Sequence, residues 1–185
     1  INIKYMMKNK FYHVYNRGNN KELIFFTDRN NKHFLKLFDK YLDYYAVLYS
    51  YCLMPNHFHL FIRIKDLSEF EDDELKQRIS HQFKLMFMSY SKGINKERGR
   101  TGSLFQKNFK RKLVDNEDYF TSLIAYIHLN PIKAGLVSKC DEWKYSSYNF
   151  LLSLNETRLA RHEVLEWFNG RQGFVRFHEE CVNLA

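Results

Sequence analysis

The stretch YYAVLYSYCLMPNHFHLFIRI, residues 44–64, decides the fold. Residues 44–53 are rich in Tyr, Val and Leu, which suit a strand. Met54-Pro55-Asn56 supplies turn chemistry. Residues 57–64 alternate with a period of two. Phe58, Leu60, Ile62 and Ile64 therefore form one apolar row, and His57, His59, Phe61 and Arg63 share the opposite face. Two such strands joined by a short turn predict a β-hairpin.

Upstream of the hairpin, residues 11–15 read as a strand and residues 16–20 as a turn. Thr27 or Asp28 caps a helix to about Leu42, with apolar residues at Phe34, Leu35, Leu37, Phe38, Tyr41 and Leu42. Downstream, the acidic residues 66–74 open a helix through about Tyr90. Residues 91–103 carry three glycines among charges and read as a mobile loop, and residues 104–114 read as a strand. A helix follows from Glu117 to about Leu129, stopped by Pro131. Residues 133–185 read as short helices and loops anchored by Trp143 and Trp167. The order strand, helix, strand, strand, helix, strand, helix predicts an α+β fold. Its expected form is a ferredoxin-like (RRM-like) antiparallel sheet with helices on one face, plus a C-terminal helical extension.

The 185 residues are 45% hydrophobic and 27% charged, the balance of a soluble globular chain. Cys52, Cys140 and Cys181 have no paired spacing, which argues against a disulfide framework or a four-cysteine zinc site and favours a cytoplasmic setting. No apolar run reaches membrane-spanning length, so no membrane partner is expected. Met6 and Met7 are the first candidate starts, and residues 1–5 carry no weight in the reading. The net charge of +8 is concentrated: residues 76–112 hold eleven basic side chains and one acid, leaving −2 for the rest. Such a segment points to a polyanion, with Lys92, Arg98, Arg100, Lys107, Lys110, Arg111 and Lys112 as candidate contacts. Arg17 and Asn19 read equally well as further nucleic-acid contacts or as parts of a plain tight turn. Aromatic residues make up 17%, mostly for a core, with base stacking as a second use.

Two constellations carry chemistry. The imidazoles of His57 and His59 point the same way on their strand and can share one divalent metal, although the spacing also describes two exposed imidazoles. Both must be neutral to bind, so occupancy is expected to fall below pH ~6.5. On the last long helix, Tyr119, Phe120, Leu123, Ile124 and Ile127 form the buried stripe. Tyr126 and Asn130, four apart, sit together at its margin. From there Tyr126 offers its hydroxyl, and Asn130 a carbonyl oxygen, to one site; a boundary tyrosine and a helix-closing asparagine are the alternative. His13, His33, His81, His128, His162 and His178 show no ligand spacing and read as structural, with His128 on a different helix face from Tyr126. Tyr145 and Tyr148 are rival nucleophiles in what looks like a packing motif after Trp143. A zinc deaminase is excluded by the absence of its His-x-Glu and Pro-Cys-x-x-Cys elements.

Residues 51–60, YCLMPNHFHL, and residues 126–137, YIHLNPIKAGLV, together resemble the single-tyrosine HUH transposases, and within them the REP-associated tyrosine transposase branch. Supporting matches are Tyr12-His13-Val14 with Asn16-Arg17-Gly18-Asn19, residues 102–106 (GSLFQ), and Trp143 with Ser146-Ser147-Tyr148. Two positions depart: Lys107-Asn108-Phe109 stands where relatives often have Gly-Arg-Phe, and Asn130 where insertion-sequence relatives place a glutamine. The resemblance implies a catalytic domain over residues 8–137 with an extension over 138–185 packed on it. It implies a Tyr126 nucleophile and a metal, Mg2+ or Mn2+, on His57, His59 and Asn130; imidazole donors by themselves also suit zinc. The implied activity is cleavage and rejoining of single-stranded DNA through a 5′-phosphotyrosine, with a hairpin-bearing strand as partner and a prokaryotic, nucleoid-associated setting. A homodimer is possible, since insertion-sequence relatives exchange helices while the REP-associated branch need not. The competing expectations are a non-catalytic single-strand binder on the same sheet and a metal hydrolase using water.

Overall fold

The hairpin of residues 44–64 forms as its alternation dictates. In a computed structural model, which describes residues 5–184, β2 (Ala46–Met54) pairs antiparallel with β3 (His57–Ile64). A register shift between Leu48 and Ser50 bulges β2. Its inward residues therefore pass from Ala46 and Leu48 to Tyr51 and Leu53. β1 (Phe11–Arg17) lies between β3 and β4 (Lys110–Val114), giving the order β2-β3-β1-β4 with antiparallel neighbours throughout. That is the ferredoxin-like arrangement.

One face of the sheet is covered by α1 (Asp28–Leu42) and α2 (Asp72–Arg98), as the element order requires. Phe58, Leu60, Ile62 and Ile64 pack there with Tyr12, Val14 and Phe34, all fully buried. At the N-terminus of α1 the Thr27 hydroxyl accepts from the Asn30 N–H, while Asn30 Oδ1 accepts from the Thr27 N–H. This reciprocal pair satisfies two donors the helix would otherwise orphan.

The opposite face carries α3 (Phe120–Lys133), α4 (Tyr148–Leu152), α5 (Arg161–Trp167) and α6 (Arg171–Asn183). Phe61, Phe120, Ile127, Tyr148 and Phe174 share one apolar cluster there. Both tryptophans act as anchors: Trp167 stacks on Tyr49 at 5.1 Å, and Trp143 Nε1 donates to the Leu53 carbonyl. No helix among the described residues is long and apolar enough to cross a membrane.

Four boundaries differ from the sequence reading. α2 continues to Arg98, through what reads as a loop, because Ile94 extends the buried stripe of Ile79, Phe83, Met86 and Tyr90 by another turn. It ends at Gly99, whose φ of 60° is the left-handed conformation that closes helices. β4 is confined to its last five residues, since Asn108 at φ 63° breaks the extended backbone. β1 runs to Arg17, so Asn16 and Arg17 belong to the strand and not to the turn. α3 passes through Pro131 to Lys133. Proline supplies no N–H to the Ile127 carbonyl, and the Asn130 side-chain amide approaches it instead at 3.4 Å.

Candidate active site

The site lies on the sheet face that carries α3, where three strand registers converge. Arg17 pairs across β1 and β3 with His57, and Tyr15 with His59. His13 pairs across β1 and β4 with Lys112, and Tyr15 with Lys110. Directly opposed residues share a face, so these side chains line one surface. α3 sets Tyr126 against it. The Tyr126 ring centroid is 5.7 Å from that of His59 and 6.1 Å from that of His13, edge-on to both. Tyr126 is 41% exposed. It lines a cavity of about 270 Å³ with His13, Tyr15, His59 and Lys112.

The two histidines of β3 stand edge to face, with ring centroids 5.2 Å apart. His57 Nδ1 lies 2.7 Å from Asn56 Oδ1, and His59 Nδ1 lies 2.8 Å from His13 Nε2. Both rings thus commit Nδ1 to a neighbour and leave Nε2 as the second nitrogen. Burial pushes the His57 pKa below its ordinary value, as does the charge of Arg17, while the Asn130 side chain, hydrogen-bonded to the ring, opposes the shift. His59 and His13 are pushed down mainly by burial; His13 and His57 add to the effect on His59, and Lys112 adds to it on His13. All three imidazoles are therefore neutral near pH 7.

Asn130 is held by its own helix. Its Nδ2 donates to the Tyr126 carbonyl at 2.8 Å and reaches the Ile127 carbonyl, leaving the carbonyl oxygen of the amide for the His57 side. Sequence reasoning thus places Tyr126, His57, His59 and Asn130 together, and the fold does so. It did not find His13, whose alternation in β1 pointed to this face but whose register against β3 is a tertiary fact. Nor did it find Asn56 or Lys133, the latter with its ammonium 5.9 Å from the Tyr126 ring centroid. Among the described residues no group of three or more His, Cys, Asp or Glu side chains is arranged to hold a metal ion by itself. A metal here would rest on two imidazoles and an amide oxygen.

The rivals for nucleophile are placed elsewhere. Tyr148 is buried against Phe174 and His178, with its hydroxyl pushed up to about 12 by burial, and Tyr145 packs on Trp143. The candidate nucleic-acid contacts divide into three groups. Arg17, Lys110 and Lys112 share the histidine face. Asn19, Lys92 and Lys107 line a groove of about 1090 Å³ between α2 and residues 103–109, beside Phe87, Phe105 and Phe109. Arg98 lies over the Phe26 ring, Arg100 pairs with Glu22, and half-buried Arg111 lies over the Phe109 ring, so these three have structural partners.

Comparisons with known proteins bear on the family and the fold. The profile of a family described as "Transposase IS200 like" matches residues 6–130. A Haemophilus influenzae protein assigned as a REP-associated tyrosine transposase is 28% identical over 103 residues. The match covers 53% of this chain and 56% of that protein, so it spans little more than half the relative's length. The solved structure of a REP-associated tyrosine transposase bound to a REP hairpin superposes with a TM-score of 0.55 at 17% identity, covering 80% of this chain and 81% of that one. That likeness establishes the shared fold.

Proposed function

The chain belongs to the family of IS200-like transposases, and from that premise we propose that it cleaves and rejoins single-stranded DNA with Tyr126 as nucleophile. The observation that carries this reading is the position of Tyr126, half-exposed on α3 with its ring against His59 and His13 and Asn130 one turn further on. A phenol ionises near pH ~10 and attacks weakly at neutrality. It needs surroundings that favour the phenolate and hold the phosphate in line.

His57 and His59 through Nε2, and Asn130 through its amide oxygen, suit a divalent metal, since every competing Nδ1 or amide nitrogen already has a protein partner. Mg2+ or Mn2+ bound there would neutralise phosphate charge and orient the phosphorus. Zinc is the alternative by donor type. The lowered pKa of His57 moves proton competition for this site below the pH ~6.5 of a free imidazole.

In the proposed reaction the Tyr126 hydroxyl gives up its proton and its oxygen bonds to phosphorus. The phosphorus–O3′ bond breaks, and O3′ takes a proton to become a free 3′-hydroxyl. The 5′-phosphate stays on Tyr126, and the reverse step on another 3′-hydroxyl rejoins the strand without an external energy source. Arg17, Lys110 and Lys112 bind phosphates beside the tyrosine. The groove with Asn19, Lys92 and Lys107 holds DNA further along. A hairpin-bearing single strand is the proposed substrate, by analogy with the REP hairpin in the neighbouring structure. Every group of the site comes from one chain, so the reading does not require a homodimer with exchanged helices.

The test is transfer of label. A hairpin oligonucleotide labelled at its 3′ end, incubated with the protein and Mn2+, should leave label on the protein through denaturation. Cleavage without transferred label would favour a hydrolase, and binding without cleavage a non-catalytic binder.

A further inference from the structure

We infer that His13 is a positioning residue for His59: it accepts the Nδ1 proton of His59 and fixes that ring in the tautomer whose Nε2 lone pair is free. The contact between the two rings is structural, and the direction assigned to its hydrogen bond rests on the function proposed above, which needs a bare Nε2 on His59.

The argument begins with the neighbouring histidine. His57 Nδ1 faces Asn56 Oδ1, while Asn56 Nδ2 points to the Lys21 carbonyl at 3.3 Å, which fixes the orientation of that amide. Oδ1 can only accept, so the neutral His57 ring that bonds Asn56 carries its proton on Nδ1 and turns the Nε2 lone pair toward the Asn130 side chain. His59 has no such amide. It is 6% exposed, and its Nδ1 contact is the Nε2 of His13, itself 8% exposed, at 2.8 Å. Between two neutral imidazoles one nitrogen must donate and the other accept. Only one direction makes His59 equivalent to His57: Nδ1–H of His59 donating to a bare Nε2 of His13, whose own proton then sits on Nδ1. The opposite direction puts a proton on His59 Nε2 and removes the lone pair.

The strands hold this geometry. His13 and His59 lie diagonally on paired strands, since His13 opposes Phe61 and Tyr15 opposes His59. The two rings are near parallel at 25°, with centroids 5.0 Å apart, and Tyr15 lies against both at 4.8 and 5.8 Å. Groups that orient a ligating histidine in this way typically change metal affinity about 10–100-fold when removed.

The experiment reads the tautomer first. Long-range proton–nitrogen NMR of the full chain, without metal, should show His59 as the Nδ1–H tautomer in the wild type. His13→Gln, whose amide oxygen can accept, should keep it. His13→Ala should lose the fixed tautomer and weaken Mn2+ binding about tenfold or more by titration, with His13→Gln recovering most of the affinity. An Nε2–H tautomer of His59 in the wild type overturns the inference, as does an unchanged tautomer and unchanged Mn2+ affinity in His13→Ala. If the wild type shows the Nδ1–H tautomer and its dependence on His13, yet binds no Mn2+, the metal reading fails while the role of His13 in setting the ring stands.

Discussion

The ring of Tyr126 stands edge-on to that of His59, at an interplanar angle of 81° with centroids 5.7 Å apart. This relationship ties a helix to a strand, and buried polar contacts hold it. Two residues beyond Tyr126, His128 Nδ1 pairs with His178 Nε2 at 2.9 Å and His128 Nε2 with Ser147 Oγ at 2.7 Å. Ser147 Oγ in turn accepts from the Tyr51 N–H of β2. α3 is therefore fastened to the sheet and to α6 by groups that must stay paired, because burying them unpaired is costly.

His57 and His59, the proposed metal ligands, should behave differently outside catalysis. His57→Ala and His59→Ala should each abolish Mn2+-dependent strand cleavage. His57 is only half-buried and should cost under ~1 kcal/mol of stability. His59→Ala strips His13 of its partner inside the fold and should cost roughly 1–3 kcal/mol. In a chain of this size each kcal/mol lowers the melting temperature by about 2–4 °C. Melting curves beside cleavage assays check this; equal melting temperatures would contradict it.

Acid should destabilise the fold through the buried histidines. Burial lowers His178 to about 4, against the opposing hydrogen bond to the Phe174 carbonyl, and burial followed by the His178 charge lowers His128 well below its ordinary 6.5. Between pH 6.5 and 4 the unfolded chain binds protons that the folded chain refuses. Stability is then complete above about pH 6.5 and lost as pH falls, by roughly 3 kcal/mol for His178 alone. Urea midpoints at pH 7.5 and 4.5 measure this. His178→Gln should flatten the dependence, and a wild-type midpoint that does not move would refute it.

The basic segment should divide by face. Lys110 and Lys112 share the histidine face, whereas Arg111 opposes Val14, whose side chain is in the α1/α2 core, and lies 4.8 Å from the Phe109 ring centroid. Lys110→Gln with Lys112→Gln should lower the slope of log binding constant against log salt by about 1.4 for a single strand. Arg111→Gln should leave that slope nearly unchanged and lower the melting temperature. A larger slope change from Arg111 than from the lysines would reverse the assignment.

The hairpin was legible because a period of two is written into His57–Ile64 itself and needs no partner to read. Tyr126 and Asn130 were legible as helix neighbours for the same local reason. The end of α2 was not: Gly93 and the surrounding charges look like a loop, and only packing of Ile94 shows that the helix continues. His13 was hidden because its partner is 46 residues away and depends on strand register. The separation of Arg111 from its two lysine neighbours follows from the strand alternation of β4, which was misplaced within a longer stretch.

The central claim is that Tyr126 forms the bond to DNA. Tyr126→Phe removes one exposed oxygen and keeps the ring against His59, so folding and hairpin binding should remain close to wild type. With a 3′-labelled hairpin strand and Mn2+, the wild type should carry label through denaturation, and proteolysis should place it on the peptide containing Tyr126. Tyr126→Phe should carry none. A denaturation-resistant adduct on the Phe variant, or label mapped to another tyrosine of the wild type, would contradict the account.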